Sequence, residues 1–154
     1  MDYDKIIFVT TDDTSVGPMA AAIYKGIVEE PPVPVISKGL VVLFSEPVNP
    51  KAMDVLKNNN VAQMKETSSQ LEAGDITKRT IVFASGVREK EAVLKNYEGC
   101  VDPEKVFTFG EGAGELTDIE DPYGTDIIGY ERCYFELVRI VKKIVYRLEN
   151  NMIG

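Results

Sequence analysis

Residues 6–19 read Ile6-Ile7-Phe8-Val9-Thr10-Thr11-Asp12-Asp13-Thr14-Ser15-Val16-Gly17-Pro18-Met19, and the order of their chemistry decides the fold. Four consecutive apolar residues (6–9) predict a strand buried on both faces, as in a parallel sheet. A short polar loop follows, and Gly17-Pro18 opens the apolar helical run Met19-Ala20-Ala21-Ala22-Ile23-Tyr24. Proline suits the first turn of a helix because its missing N–H has no intrahelical acceptor there, and Thr14 or Ser15 can cap the turn before it. A strand, a loop and a helix N-terminus in succession form a frame that binds phosphate, since unpaired backbone N–H groups and the helix dipole converge on the loop. The residues oppose that frame: the loop has no Lys, Arg, Cys or His and carries two adjacent carboxylates.

Outward from this stretch, Pro31-Pro32-Val33-Pro34 ends the first helix, near Val28, and turns the chain back. The continuous apolar run Gly39-Leu40-Val41-Val42-Leu43-Phe44 predicts a second buried strand, and Pro47-Val48-Asn49-Pro50 starts a helix from Lys51 to about Asn58. Residues 61–78 are polar and weakly periodic, and read as loop with one short helix near Ser68–Ala73. Thr80-Ile81-Val82-Phe83-Ala84 predicts a third strand, Glu89 to Tyr97 a third helix, and Val106-Phe107-Thr108-Phe109 a fourth strand. Gly110 to Gly124 reads as a surface loop. From Thr125 to Glu149, apolar residues recur every three or four positions as a long amphipathic helix. Strands alternating with helices argue a three-layer α/β domain over residues 1–154, a four-stranded parallel sheet covered on both faces, with any ligand at the carboxyl ends of the strands.

Composition narrows the function classes. With no histidine, His-based metal sites, Ser-His triads and Cys-His dyads are excluded. A net charge of −8 disfavours nucleic acid and anionic membranes as partners. No apolar run approaches the roughly 20 residues of a membrane span, and the charged start Met1-Asp2-Tyr3-Asp4-Lys5 does not read as a signal peptide. Two cysteines, Cys100 and Cys133, make no disulfide framework, so the expected setting is a reducing cytoplasm, and both read as packing residues. Gly110-Glu111-Gly112-Ala113-Gly114 imitates a nucleotide fingerprint but has the wrong spacing, with no helix expected there. Tyr130, Tyr134 and Tyr146 lie on or beside the apolar stripe of the last helix and read as core or as a contact in a possible homodimer.

The flanks of the first loop resemble those of the low-molecular-weight protein tyrosine phosphatases and the arsenate reductases sharing their fold. That family carries Val-Cys-x-Gly-Asn-x-Cys-Arg-Ser-Pro-Met-Ala here. This chain matches it in Phe8-Val9 and in Pro18-Met19-Ala20 at unchanged spacing. Pro47-Val48-Asn49-Pro50-Lys51-Ala52, Lys105-Val106-Phe107-Thr108-Phe109-Gly110-Glu111 and Asp118-Ile119-Glu120-Asp121-Pro122-Tyr123-Gly124 are similar to later family segments, in order. The resemblance implies strand order 2-1-3-4, as in flavodoxin-like and phosphotyrosine phosphatase I-like folds. It also implies a ligand loop of Thr11, Asp12, Asp13, Thr14, Ser15 and Gly17, with Tyr123 at the cleft rim, and no cofactor.

The family's reactive residues do not carry over. Thr10 stands at the nucleophilic cysteine, Val16 at the phosphate-clamping arginine, Asp12 and Asp13 at the loop glycine and asparagine, Ser15 at the second cysteine and Gly17 at the serine that aids the leaving thiolate. A helix N-terminus lowers a thiol's pKa enough to form a thiolate near neutral pH; a threonine hydroxyl stays protonated. Arginine forks onto two phosphoryl oxygens, and valine offers no hydrogen bond. Each loop carboxylate repels a phosphate by roughly 3 kcal/mol per pair of unit charges about 5 Å apart at an effective dielectric near 20. Asp121 matches the general-acid position, but without a nucleophile its expected role is an Asp-Pro-x-Gly turn into the last helix. These substitutions imply a catalytically inactive, phosphatase-like protein with a binding or regulatory role, its partner a protein or a small cationic ligand at the loop. Residual phosphatase activity is one alternative. A second is an enzyme of different chemistry in the same cleft, with Asp12, Asp13 and Asp121 as acid, base or ligands of a hard metal ion. A third is a structural or oligomeric protein. The plain expectation for Asp12 and Asp13 is that both face solvent in Asx-type turns.

Overall fold

The computed structural model describes residues 2–153; Met1 and Gly154, the ends of the domain span expected from the sequence, lie outside the described residues. Strands β1 (Lys5–Thr10), β2 (Val35–Gly39), β3 (Thr80–Ala84) and β4 (Val106–Thr108) form one parallel sheet in the order β2-β1-β3-β4. The expected class, sheet order and layering are observed.

The apolar run in β1 is explained by burial on two sides. Ile6 and Phe8 enter a core with helices α1 (Val16–Ile27) and α5 (Ile127–Glu149), while Ile7 and Val9 enter a second core containing Val93 of helix α3 (Val87–Asn96). Side chains alternate across a strand, so a strand covered on both faces has no polar face to show. Phe8 anchors the larger core, with ring centroids 5.6 Å from Phe83, 5.5 Å from Phe109 and 6.1 Å from Tyr24. Full burial of one such side chain stabilises by about 1.5–3 kcal/mol.

Helix α2 (Pro50–Asn58) starts at Asn49, whose side chain accepts from Lys51 N–H at 2.9 Å. Helix α5 starts at Asp126, whose carboxylate accepts from Gly129 N–H at 3.1 Å. Its apolar stripe buries Tyr130, Cys133, Tyr134, Leu137, Ile140, Val141 and Ile144, whereas Tyr146 is exposed. No helix among the described residues is long and apolar enough to cross a membrane.

Three expectations are corrected. The second strand is Val35–Gly39, not 39–44: β2 is an edge strand with one buried face (Val35, Ser37, Gly39), and the longer apolar run beyond it protrudes. The helix expected at Ser68–Ala73 is a single 3-10 turn at Ala73–Asp75, because residues 69–71 instead hydrogen-bond beside Gly39. The region 110–124 begins inside a helix, α4 (Phe109–Ala113), rather than as a loop. A capping box starts α4: Thr108 Oγ1 accepts from Glu111 N–H at 3.0 Å, and Glu111 Oε1 accepts from Thr108 N–H at 2.8 Å. Its glycines permit close approach, since a Cβ on Gly112 would stand 2.6 Å from the Phe83 ring and one on Gly110 would stand 2.3 Å from the Thr117 carbonyl.

Candidate functional site at the first loop

The loop between β1 and α1 lies at the carboxyl edge of the sheet, where strand order changes direction, the usual ligand position in open α/β sheets. Its rim is held by backbone bonds to its neighbours: Leu40 N–H to Thr10 O at 3.0 Å, Val41 N–H to Thr11 O at 2.9 Å and Asn49 N–H to Thr14 O at 2.8 Å. Helix α1 begins at Val16, with Ser15 in the cap position but making no side-chain cap bond. Thr10, Ser15, Val16 and Gly17 are all buried.

Asp12 and Asp13 part company. Asp12 is exposed, and its Oδ1 accepts from Thr14 N–H at 3.2 Å, the Asx geometry expected of it. Asp13 is not in solvent: it is fully buried, at a left-handed φ of 58°, a conformation that Asp and Asn tolerate better than most residues. Its N–H donates to Thr10 Oγ1 at 3.0 Å. Its Oδ2 accepts from Ser69 N–H at 3.0 Å and pairs with the Lys65 ammonium. Lys65 also donates to Ser37 O at 3.1 Å and Ser69 Oγ at 2.8 Å, so all three ammonium hydrogens are engaged. A buried carboxylate needs such compensation, because desolvation without a partner costs several kcal/mol. Sequence reasoning missed Lys65, which lies 52 residues away in a polar, weakly periodic segment. Asp13 Oδ1 has no hydrogen-bond partner among the described residues. It stands 3.3 Å from where a Gly17 side chain would begin, with Thr10 Oγ1 at 3.2 Å from the same point.

The remaining expected site residues do not join this cluster. Asp121 is exposed, and its Oδ1 accepts from Tyr123 N–H at 3.0 Å in the turn before α5, closed by Thr125 N–H to Pro122 O at 3.0 Å and by Gly124 at φ 85°. It lines a groove of about 300 Å³ with Arg132, Cys133 and Glu136 of α5. Burial, reinforced by the charges of Asp121 and Glu136, pushes the Cys133 thiol up to about 12. Tyr123 is 77% exposed. No hydrogen bond or ion pair links Asp121 to Asp12 or Asp13, and no group of three or more His, Cys, Asp or Glu among the described residues is placed to hold a metal ion. Thr11 Oγ1 reaches Glu89 Oε2 at 3.4 Å, and the Glu89 and Asp118 carboxylates both converge on Gly86, lying 3.0 Å and 3.2 Å from where its Cβ would be.

Sheet order and the strand–loop–helix motif define a doubly wound α/β protein with a phosphate-loop frame. A family model described as low molecular weight phosphotyrosine protein phosphatase matches residues 5–153, and the chain belongs to that family. The protein-arginine-phosphatase of Geobacillus stearothermophilus is 30% identical over 146 residues, covering 94% of this chain and 96% of the relative. The low molecular weight protein-tyrosine-phosphatase PtpB of Staphylococcus haemolyticus (strain JCSC1435) is 24% identical over 140 residues, covering 91% and 96%. A solved structure of YwlE arginine phosphatase, a cysteine-to-serine mutant with a phosphorylated active-site serine, matches with a TM-score of 0.86 at 28% identity, covering 94% of this chain and 95% of that one.

Proposed function

We propose that this family member is not a phosphatase and that its first loop serves binding or regulation, with a cationic ligand or protein partner. The observation that carries this is the use of the loop's own groups on one another. Thr10 Oγ1, at the nucleophile position, is the acceptor for Asp13 N–H, and Val16, at the arginine position, is a buried apolar side chain. The Lys65 ammonium is consumed by Asp13, Ser37 O and Ser69 Oγ. An incoming phosphate would find an exposed carboxylate at Asp12 and no arginine fork to hold it.

The test is turnover of an aryl phosphate, a phosphotyrosine peptide and a phosphoarginine peptide. None is expected above the buffer rate; hydrolysis that disappears in Thr10→Ala or Asp121→Asn would return the protein to the enzymes. Because the YwlE mutant carries phosphate on a serine, intact mass should be measured on the same samples. A stable phosphoryl group on Thr10 after incubation would also overturn the proposal, since it would mean that the loop still positions a phosphate for attack.

A further inference from the structure

Residues 41–44, Val-Val-Leu-Phe, form an apolar lip beside the loop, with Val41, Leu43 and Phe44 59%, 84% and 81% exposed. The lip is tethered at both ends. Val41 N–H bonds to Thr11 O, Val42 N–H to Gln70 Oε1 at 2.8 Å, and Gln70 Nε2 to Leu40 O at 2.8 Å. Beyond it, Ser45 Oγ donates to Ser68 O at 2.9 Å, and Glu46 and Ser68 are joined by Glu46 N–H to Ser68 Oγ at 2.9 Å and Ser68 N–H to Glu46 O at 2.8 Å. A backbone this well bonded holds its apolar side chains in water by construction, and contiguous exposed apolar surface marks an interaction site.

The surroundings select the occupant. The lip lines a groove of about 190 Å³ whose polar members are Asp12, Glu46 and Ser68. Across Thr11 lie the Glu89 and Asp118 carboxylates. None of these four acids forms an ion pair with a lysine or arginine among the described residues. We infer that the lip and its acidic border dock an extended segment of another protein in which arginine adjoins apolar residues. Arginine fits better than lysine because its planar guanidinium stacks on an aromatic face such as Phe44 while forking onto a carboxylate. An anionic lipid surface is disfavoured by the same border and by the net charge of −8. This docking rests on the binding role proposed above and names its partner class.

The experiment is fluorescence anisotropy of the full-length protein with a labelled peptide alternating Arg and Leu, compared with versions carrying Gln or Glu in place of every Arg. Binding of the Arg peptide alone, weakened by added salt, is expected. Leu43→Ser/Phe44→Ser and Asp12→Asn/Glu46→Gln should each reduce affinity by about tenfold or more, equivalent to about 1.4 kcal/mol, with unchanged melting temperature. Equal binding of all three peptides, no binding of the Arg peptide, affinity indifferent to both double substitutions, or lip-dependent binding to phosphatidylserine vesicles would each overturn the inference. Turnover assays fail or succeed separately: hydrolysis with intact peptide binding removes the non-catalytic reading alone, and absence of both removes the docking alone.

Discussion

Asp13 and Lys65 form a pair whose two members differ in their route to water. Asp13 has none, while the Lys65 side chain keeps 19% of its surface exposed and a flexible stem. Lys65→Met strands a buried charge and should cost about 3–5 kcal/mol of unfolding free energy. Asp13→Asn keeps an acceptor for Ser69 N–H, tolerates the left-handed backbone and lets the ammonium reach solvent, so it should cost distinctly less. Urea unfolding of both variants checks the order; equal losses would mean that the pair contributes little beyond its hydrogen bonds. The two adjacent carboxylates were legible as anomalous in the sequence, but their fates were not. Which of two neighbouring aspartates turns inward depends on a left-handed φ and on a lysine brought alongside only by the folded chain, and neither leaves a local pattern.

At the scale of elements, legibility followed burial. Strands β1 and β3, covered on both faces, appeared in the sequence as uninterrupted apolar runs, and β3 has the expected bounds. Edge strand β2 carries only an alternating pattern, Val-Ile-Ser-Lys-Gly, and was outcompeted by the more apolar 40–44, whose side chains serve the surface. Helix α4 is hidden in the sequence because its glycines suggest a loop, although Thr108 and Glu111 spell a capping box. Those glycines are steric rather than flexible, which gives a prediction opposite to helix propensity. Gly112→Ala would gain up to about 1 kcal/mol from propensity alone. With the Phe83 ring 2.6 Å from the new methyl, it should instead lose about 1–3 kcal/mol by overpacking. A rise in melting temperature would show that the sheet yields to the methyl.

For the molecule as a whole, the Asp13–Lys65 pair has a counterpart away from the loop, in a cluster of charges around Glu115. Glu115, just beyond α4, is bonded by Arg139 at 2.8 and 2.9 Å and by Lys143 at 2.9 Å, tying α5 to the segment that follows α4. Those hydrogen bonds, chiefly from Arg139 and then Lys143, hold its carboxyl at about 2, against an ordinary value of 4.5. A depressed carboxylate contributes stability above its unfolded pKa and loses it as pH falls from about 4.5 towards 2. Glu115→Gln should therefore lower stability at pH 7 by less than about 1 kcal/mol, given the exposed partners, and the difference should close near pH 2. Thermal melts of both proteins from pH 2 to 7 measure it; a gap that persists at pH 2 would assign the effect to packing.

Lys65 also has an effect beyond the loop it neutralises. Its bond to Ser37 O occupies a carbonyl on β2, the outermost strand of the sheet on that side, next to the point where residues 69–71 cover Gly39. An uncovered strand edge is a template for pairing with another chain, and a lysine across it is a common protection against aggregation. One ammonium thus serves the buried aspartate and the strand edge together, so a chain that lost Lys65 would carry both an orphaned carboxylate and a β2 edge opened to intermolecular pairing.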